Sequence, residues 1–242
     1  MDLYSSLAII ILASLVHASF QLSVSMLTLM SGHSLSIKQS FKKLNDLTAS
    51  FVLGAGIITM LLVSSTAWMF LRITNGEVSG YIWAIACGIL LGTAMSVWLF
   101  YYRRGKGTTL WIPRDFAEYL TNRTKKTRSI GEAFGLGVSS VLGEILFIAA
   151  PVITASLALI QMTPSWQLAG SFIYLIISIL PLLIIRILIG GGLSLSKIQR
   201  WREKNKYFLQ FTAGAGLIIL SFFVYASEII QVSLGGFLWA CR

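Results

Sequence analysis

Residues 168–190 read LAGSFIYLIISILPLLIIRILIG, an apolar run that contains a single charged side chain, Arg186. The hydrocarbon core of a bilayer is about 30 Å thick, so a helix needs roughly 20 residues to cross it. The run therefore predicts a transmembrane helix. Five further runs satisfy the same criterion, which gives six in all: 5–31, 49–71, 80–102, 134–160, 168–190 and 207–232.

The composition of the whole chain agrees with this prediction. Of its 242 residues, 56% are hydrophobic and 12% are charged, whereas a soluble domain carries about 25% charged residues. The sequence starts Met1-Asp2-Leu3 and enters the first apolar run without a basic segment. We expect that run to be a spanning helix and not a cleaved signal peptide.

Lysine and arginine alternate along the polar breaks between these runs. The second break holds only Arg72, beside Glu77, and the fourth break holds neither Lys nor Arg. The other three are basic and contain Lys38, Lys42 and Lys43; Arg103, Arg104, Lys106, Arg114, Arg123, Lys125, Lys126 and Arg128; and Lys197, Arg200, Arg202, Lys204 and Lys206. Because cytoplasmic loops concentrate Lys and Arg, we expect these three loops inside and both termini outside.

This topology predicts a multi-pass protein of the cell (cytoplasmic) membrane, with N-out and C-out orientation. It also accounts for most of the formal net charge of +10. A nucleic-acid partner would require a basic face on a folded domain, so we expect none.

The basic loop at 103–133 divides the chain into two parts, 1–102 and 134–242, with three predicted helices each. Because three is odd, similar halves would be inverted relative to each other, as in many transporters. The predicted fold is therefore an all-α polytopic membrane protein with six transmembrane helices in two inverted three-helix repeats. Within the loop, apolar residues at 111–120 fit either an amphipathic helix on the inner leaflet or a solvated linker.

Polar residues share one side of two predicted helices, at about 100° per residue. In the first helix these are Ser14, His17, Gln21, Ser25 and Thr28, and in the fourth Ser140, Gly143, Glu144, Pro151 and Thr154. Pro151 is expected to kink its helix. The small patches Gly54-Ala55-Gly56 and Gly214-Ala215-Gly216 are expected to permit close approach between helices.

His17 and Glu144 lie near the midpoints of their helices. A charge at that depth costs about 2.5–3.5 kcal/mol on insertion scales, so such groups usually face a cavity or each other. We interpret His17 and Glu144 as a proton or cation site, with Gln21, Ser25, Pro151 and Thr154 as further candidates. The alternative is that both groups are neutral and form hydrogen bonds between helices.

Several other chemistries are less well supported by the sequence. Met26, Met30 and His33 have a spacing that could hold a soft metal such as Cu(I). Methionine in a membrane helix usually packs against other side chains, so the sequence does not identify a bound metal. No cofactor is expected. The sequence contains no HExxH, P-loop or paired catalytic carboxylates, so we expect a protein that is not an enzyme.

The layout resembles a known superfamily. Six helices in two halves, Pro151 in the fourth helix, ILPLL at 179–183 and QFTAGAGLI at 210–218 are similar to the DsbD/CcdA-type thiol reductant conductors of the LysE/DsbD superfamily. That resemblance implies a transporter-like scaffold. Those conductors carry a cysteine in the first helix and one in the fourth, whereas this chain has only Cys87 and Cys241. A thiol relay is therefore not expected.

Together these features predict a secondary transporter or exporter of a small solute or metal ion, with His17 and Glu144 as the candidates for proton coupling. The alternative is a non-enzymatic accessory or assembly subunit of a membrane complex. The expected partners are the lipid bilayer and the small solute or ion. A second copy of the chain or another membrane protein stays open as a further partner.

Overall fold

The computed structural model describes residues 2–20, 22–36, 41–100, 119–120, 122–124, 126–190 and 195–230. Throughout these ranges the regular elements are helices and no strand occurs, which confirms the all-α class. In chain order the helices are α1 Leu3–Ala18, α2 Leu22–Ser36, α3 Phe41–Thr74, α4 Gly80–Phe100, α5 Ile130–Gly143, α6 Ile145–Ile160, α7 Pro164–Gly190, α8 Leu195–Lys204 and α9 Lys206–Val224, which continues as a π-helix, Tyr225–Ile230.

The helices long and apolar enough to cross a membrane match the predicted runs. Four meet that criterion as single helices: α3, α4, α7, and α9 with its π-helical end. Two further candidates are bent pairs, α1 with α2 at an angle of 46° and α5 with α6 at 80°. The described residues thus contain four candidate spans, or six if each bent pair forms one span.

The fourth predicted span breaks at Glu144, seven residues before Pro151. Glu144 has φ −99° and ψ 5°, outside the helical range, and separates α5 from α6. Its carbonyl oxygen accepts the first hydrogen bonds of α6, from the N–H groups of Phe147 and Ile148. Pro151 lies within the continuous helix α6. Membrane helices tolerate internal proline where neighbouring helices pack around it, and Pro151 and most other residues of α6 are buried.

The core lies where α6 and α7 pack against each other and against both α1 and α3. Ile9 and Ile10 of α1 and Ala155 and Leu157 of α6 are completely buried there. On one side α4 pairs with α9, and Gln210 joins them by donating to the carbonyls of Val97 and Trp98. Large apolar side chains on the outward faces of these helices stay exposed, as expected where lipid is the solvent.

The predicted small patches do mark close helix contacts. A Cβ added at Gly54 would collide with the carbonyl oxygen of Phe134, and one at Gly137 with that of Phe51, so α3 and α5 touch backbone to backbone. At Gly214 an added Cβ would collide with the indole ring of Trp98. Small residues bring membrane helices together in this way.

Part of the apolar stretch at 111–120 lies outside the described residues. Tyr119 is exposed and Leu120 is buried, while the rest of that stretch, including Trp111, Ile112 and Phe116, is among the residues not described. The choice between a surface helix and a linker therefore stays open.

The contact between α3 and α5 yields a stability prediction with an internal control. Gly137→Ala should destabilise the protein by about 1–3 kcal/mol, because the new methyl group overpacks rigid backbone. Gly135→Ala on the same helix meets open space and should be neutral or slightly stabilising, since alanine favours helix. Thermal unfolding in detergent measures both. Equal midpoints for the two variants would contradict the close contact.

Candidate functional site

The two helix breaks lie against each other. The backbone N–H of Leu22, the first residue of α2, donates to Oε1 of Glu144 between α5 and α6. The hydroxyls of Ser23 and Ser140 are 3.0 Å apart. The break of the first bent pair therefore contacts the break of the second through polar groups.

A ring contact adds an apolar component to this junction. The rings of Phe20 and Phe147 stack with centroids 5.9 Å apart. Phe20 lies between α1, which ends at Ala18, and α2, which begins at Leu22, and Phe147 lies in the first turn of α6. The stack thus joins the same two breaks as the hydrogen bonds do.

The side chain of Glu144 is held at this junction by the N-terminus of α2. The first N–H groups of a helix have no partner within the helix, and the aligned peptide dipoles favour a negative group there. Its carboxylate satisfies one such N–H at the start of α2, and the side chain is only 3% exposed. Glu144 therefore links the two bent pairs and does not cap its own helix.

His17 lies in the last turn of α1 and pairs with a tyrosine from α7. Its Nδ1 is 2.9 Å from the hydroxyl oxygen of Tyr174, and both side chains are buried. Either the hydroxyl donates to Nδ1 or the ring N–H donates to the hydroxyl oxygen, depending on the histidine tautomer. This pair fixes the end of α1 against α7.

One small cavity connects His17 with Glu144. Its polar wall consists of these two residues with Ser23, Thr59 and Ser178, and Pro181 is among its apolar neighbours. The volume of the cavity that is open to the centre of a water molecule is about 20 Å³. That volume is enough for about one water molecule. The two ionisable groups predicted from the sequence thus share one cavity, although the described bonds join each of them to another partner.

The other predicted site residues have different positions. Gln21 lies outside the described residues. Ser25 is in α2, where its hydroxyl accepts a hydrogen bond from Nη2 of Arg202 at 2.8 Å. As far as the described residues define the cavity, Ser25 is not in its wall. Arg202 itself is a buried residue of α8.

Pro151 and Thr154 are buried in α6, but the described cavity does not include them. Thr154 Oγ1 donates to the carbonyl of Ala150 in its own helix at 2.9 Å. The expected common face of Ser140, Glu144 and Thr154 assumed a straight helix, and the 80° bend at Glu144 removes it. The polar stripe from Ser14 to Thr28 is divided in the same way by the 46° bend.

Ser140 of the junction was expected on the polar face but not in the site. Four further polar residues, which belong to the junction, line the cavity or pair with His17, were not predicted as site residues: Ser23, Thr59, Tyr174 and Ser178. Tyr174 and Ser178 are polar side chains within the long apolar run at 168–190. Buried tyrosine hydroxyls usually find a partner, so a tyrosine in the middle of an apolar run is a signal that marks Tyr174 as a candidate. Its pairing with His17 required the fold, because 157 positions separate them.

The described residues contain no group of three or more His, Cys, Asp or Glu that could hold a metal ion. Met26 and Met30 are buried, and the hydroxyl of Thr124 contacts the sulfur of Met26 at 3.4 Å. The side chain of His33 lies outside the description. The site combines an imidazole, a carboxylate and hydroxyls around space for about one water, which suits a proton or a small cation.

Comparison with known proteins does not assign this chain. It matches no family model, no curated protein and no solved structure. The resemblance to the LysE/DsbD superfamily therefore stays a prediction.

The His17–Tyr174 pair yields a second stability prediction. Tyr174→Phe should lower stability by about 1–3 kcal/mol, because it leaves a buried ring nitrogen without its partner. Tyr81→Phe is the matched control, since Tyr81 is 85% exposed, and it should have almost no effect. Thermal unfolding of the purified protein compares them. If both variants unfold at the same temperature, the buried bond contributes nothing to the fold.

Proposed function

We propose that this protein is a secondary transporter or exporter of a small solute or metal ion, with His17 and Glu144 as a proton or cation site. One observation supports it above the others: two broken helices meet at their breaks around a buried cavity that both residues line. Transporter sites are commonly formed by broken helices near the bilayer midplane, where half-helix ends face the bound ion or solute.

The order of the helices supports the proposal of two inverted repeats. A broken helix, a long helix and a further apolar helix occur twice, first as α1–α2, α3 and α4 and then as α5–α6, α7 and α9. If each broken pair is one span, each half crosses the membrane three times. An odd number of crossings inverts the second half relative to the first. The six-span topology with both ends outside remains part of this proposal, supported by the Lys and Arg distribution.

The surroundings of Glu144 support its role as an ion-binding group. Ionisable residues within membrane segments are costly and usually line ion or substrate pathways. Its side chain accepts from the N–H of Leu22 and also lines the cavity, so a cation or proton entering the cavity would compete for the same oxygen atoms. Binding at Glu144 would thereby change the bond that holds the two breaks together.

The proposal includes a scaffold similar to the LysE/DsbD superfamily in which polar groups take the central position. Cys87 is buried in α4, where its thiol contacts the carbonyl of Ser221 in α9. That position is away from both helix breaks. In this proposal, His17 and Glu144 therefore take the central position that the cysteine pair holds in the thiol conductors.

Transport currents test this function with a conservative variant. In proteoliposomes on a solid-supported membrane, concentration jumps of lysine, Mn²⁺ and Na⁺ should evoke a pH-dependent current with at least one probe. Glu144→Gln should reduce that current by roughly tenfold or more, since the amide can still accept from Leu22 N–H but cannot exchange a proton. Glu228→Gln is the control, because Glu228 is also buried but lies in the π-helix beside α4.

Two outcomes would contradict the proposal. If Glu144→Gln gave the same current and the same pH dependence as the wild-type protein, Glu144 would not be the ion-binding group. No current with any probe, together with stable co-purification of another membrane protein, would favour the accessory-subunit alternative.

A further inference from the structure

Helix α8 is confined to the membrane boundary by its connections. The candidate span of α7 ends at Ile189, and the next candidate span begins at Lys206. Helix α8, Leu195–Lys204, occupies most of the segment between them. Two consecutive spans end and begin on the same side of a bilayer, so this short helix lies at that surface.

One side of α8 is attached to the transmembrane helices. Arg202 is 5% exposed, and its guanidinium donates to the hydroxyl of Ser25 in α2. A guanidinium so deeply buried at the membrane boundary fixes the rotation of α8 about its axis. The opposite side of the helix is consequently presented outward.

The outward side is basic. Lys197, Arg200 and Lys204 are exposed, and at about 100° per residue they fall within roughly 60° of one another. By the same geometry Glu203, also exposed, lies about 60° from Arg200 and about 100–120° from Lys204 and Lys197. The three cations thus form one surface, and this carboxylate lies at its edge beside Arg200.

Exposed aromatic residues accompany these cations. Trp201 is 57% exposed beside them, and Tyr207 and Phe208 at the start of α9 are 68% and 63% exposed. Tryptophan and tyrosine concentrate at the level of lipid headgroups, where the ring is partly in apolar and partly in polar surroundings. A basic helix with an adjacent tryptophan at that depth is typical of a surface that contacts lipid headgroups, and less typical of one that is only solvated by water.

We propose that Lys197, Arg200, Lys204 and Trp201 form a docking surface for the headgroups of anionic phospholipids. The cations would attract the phosphodiester charge, and the indole would rest at the headgroup level. This surface is separate from the cavity of His17 and Glu144, so its test does not depend on the transport proposal.

Lipid titration of the purified full-length protein in neutral detergent tests the surface. Binding of phosphatidylglycerol and of phosphatidylcholine would be followed by native mass spectrometry and by the thermal unfolding midpoint. Arg200→Gln/Lys204→Gln should weaken phosphatidylglycerol binding by roughly tenfold or more. Lys126→Gln/Arg128→Gln removes the same two residue types from exposed positions outside α8 and should leave it within about twofold.

A second variant keeps the test decisive if the first does not fold. Lys197→Gln/Lys204→Gln removes charge from the same surface and should give the same loss. Unchanged phosphatidylglycerol binding in a folded α8 variant would overturn the proposal and leave the surface for an acidic protein partner. Equal binding of phosphatidylcholine, or displacement of the lipid by inorganic phosphate at equal concentration, would also overturn it.

Discussion

A break in a helix that crosses a bilayer exposes backbone N–H and carbonyl groups where no water can satisfy them. In this chain the N–H of Leu22 at the start of α2 donates to the carboxylate of Glu144, which itself occupies the break between α5 and α6. Each break thus supplies a group that the other needs. The hydroxyls of Ser23 and Ser140 and the stacked rings of Phe20 and Phe147 extend the same contact.

The rest of the arrangement follows from this junction. Close approach of α3 and α5, through Gly54 and Gly137, brings the second broken pair into the interior. The end of α1 is fixed by the bond between His17 and Tyr174. The space left between the breaks is a small cavity with both ionisable groups in a wall that is partly polar and partly apolar. In the proposed function, a carboxylate that serves as a structural bond and also faces a cavity would couple ion binding to movement of the helices around it.

The sequence predicts the helices better than their breaks. Run length and hydropathy predict 80–102 and 168–190, against observed helices Gly80–Phe100 and Pro164–Gly190. The depth of His17 and Glu144 in their runs was enough to select both as candidates. The break at Glu144 was not predicted, because proline was the only local signal considered and tertiary contacts accommodate Pro151 within α6. Partners such as Tyr174 and Arg202 are distant in the chain, so periodicity alone could not assign them.

Disulfide trapping across the two breaks tests the junction most directly. Ser23→Cys with Ser140→Cys, in a chain whose native Cys87 and Cys241 are replaced by alanine, would place two thiols where hydroxyls are 3.0 Å apart. Mild oxidation should join the two tryptic peptides in nearly all molecules. The pair Ser23→Cys with Ser139→Cys should join few, because Ser139 lies about 100° around α5 from Ser140 and so away from the side of the helix that meets Ser23. Equal cross-linking of the two pairs, or none in the first, would contradict an account in which the broken helices meet.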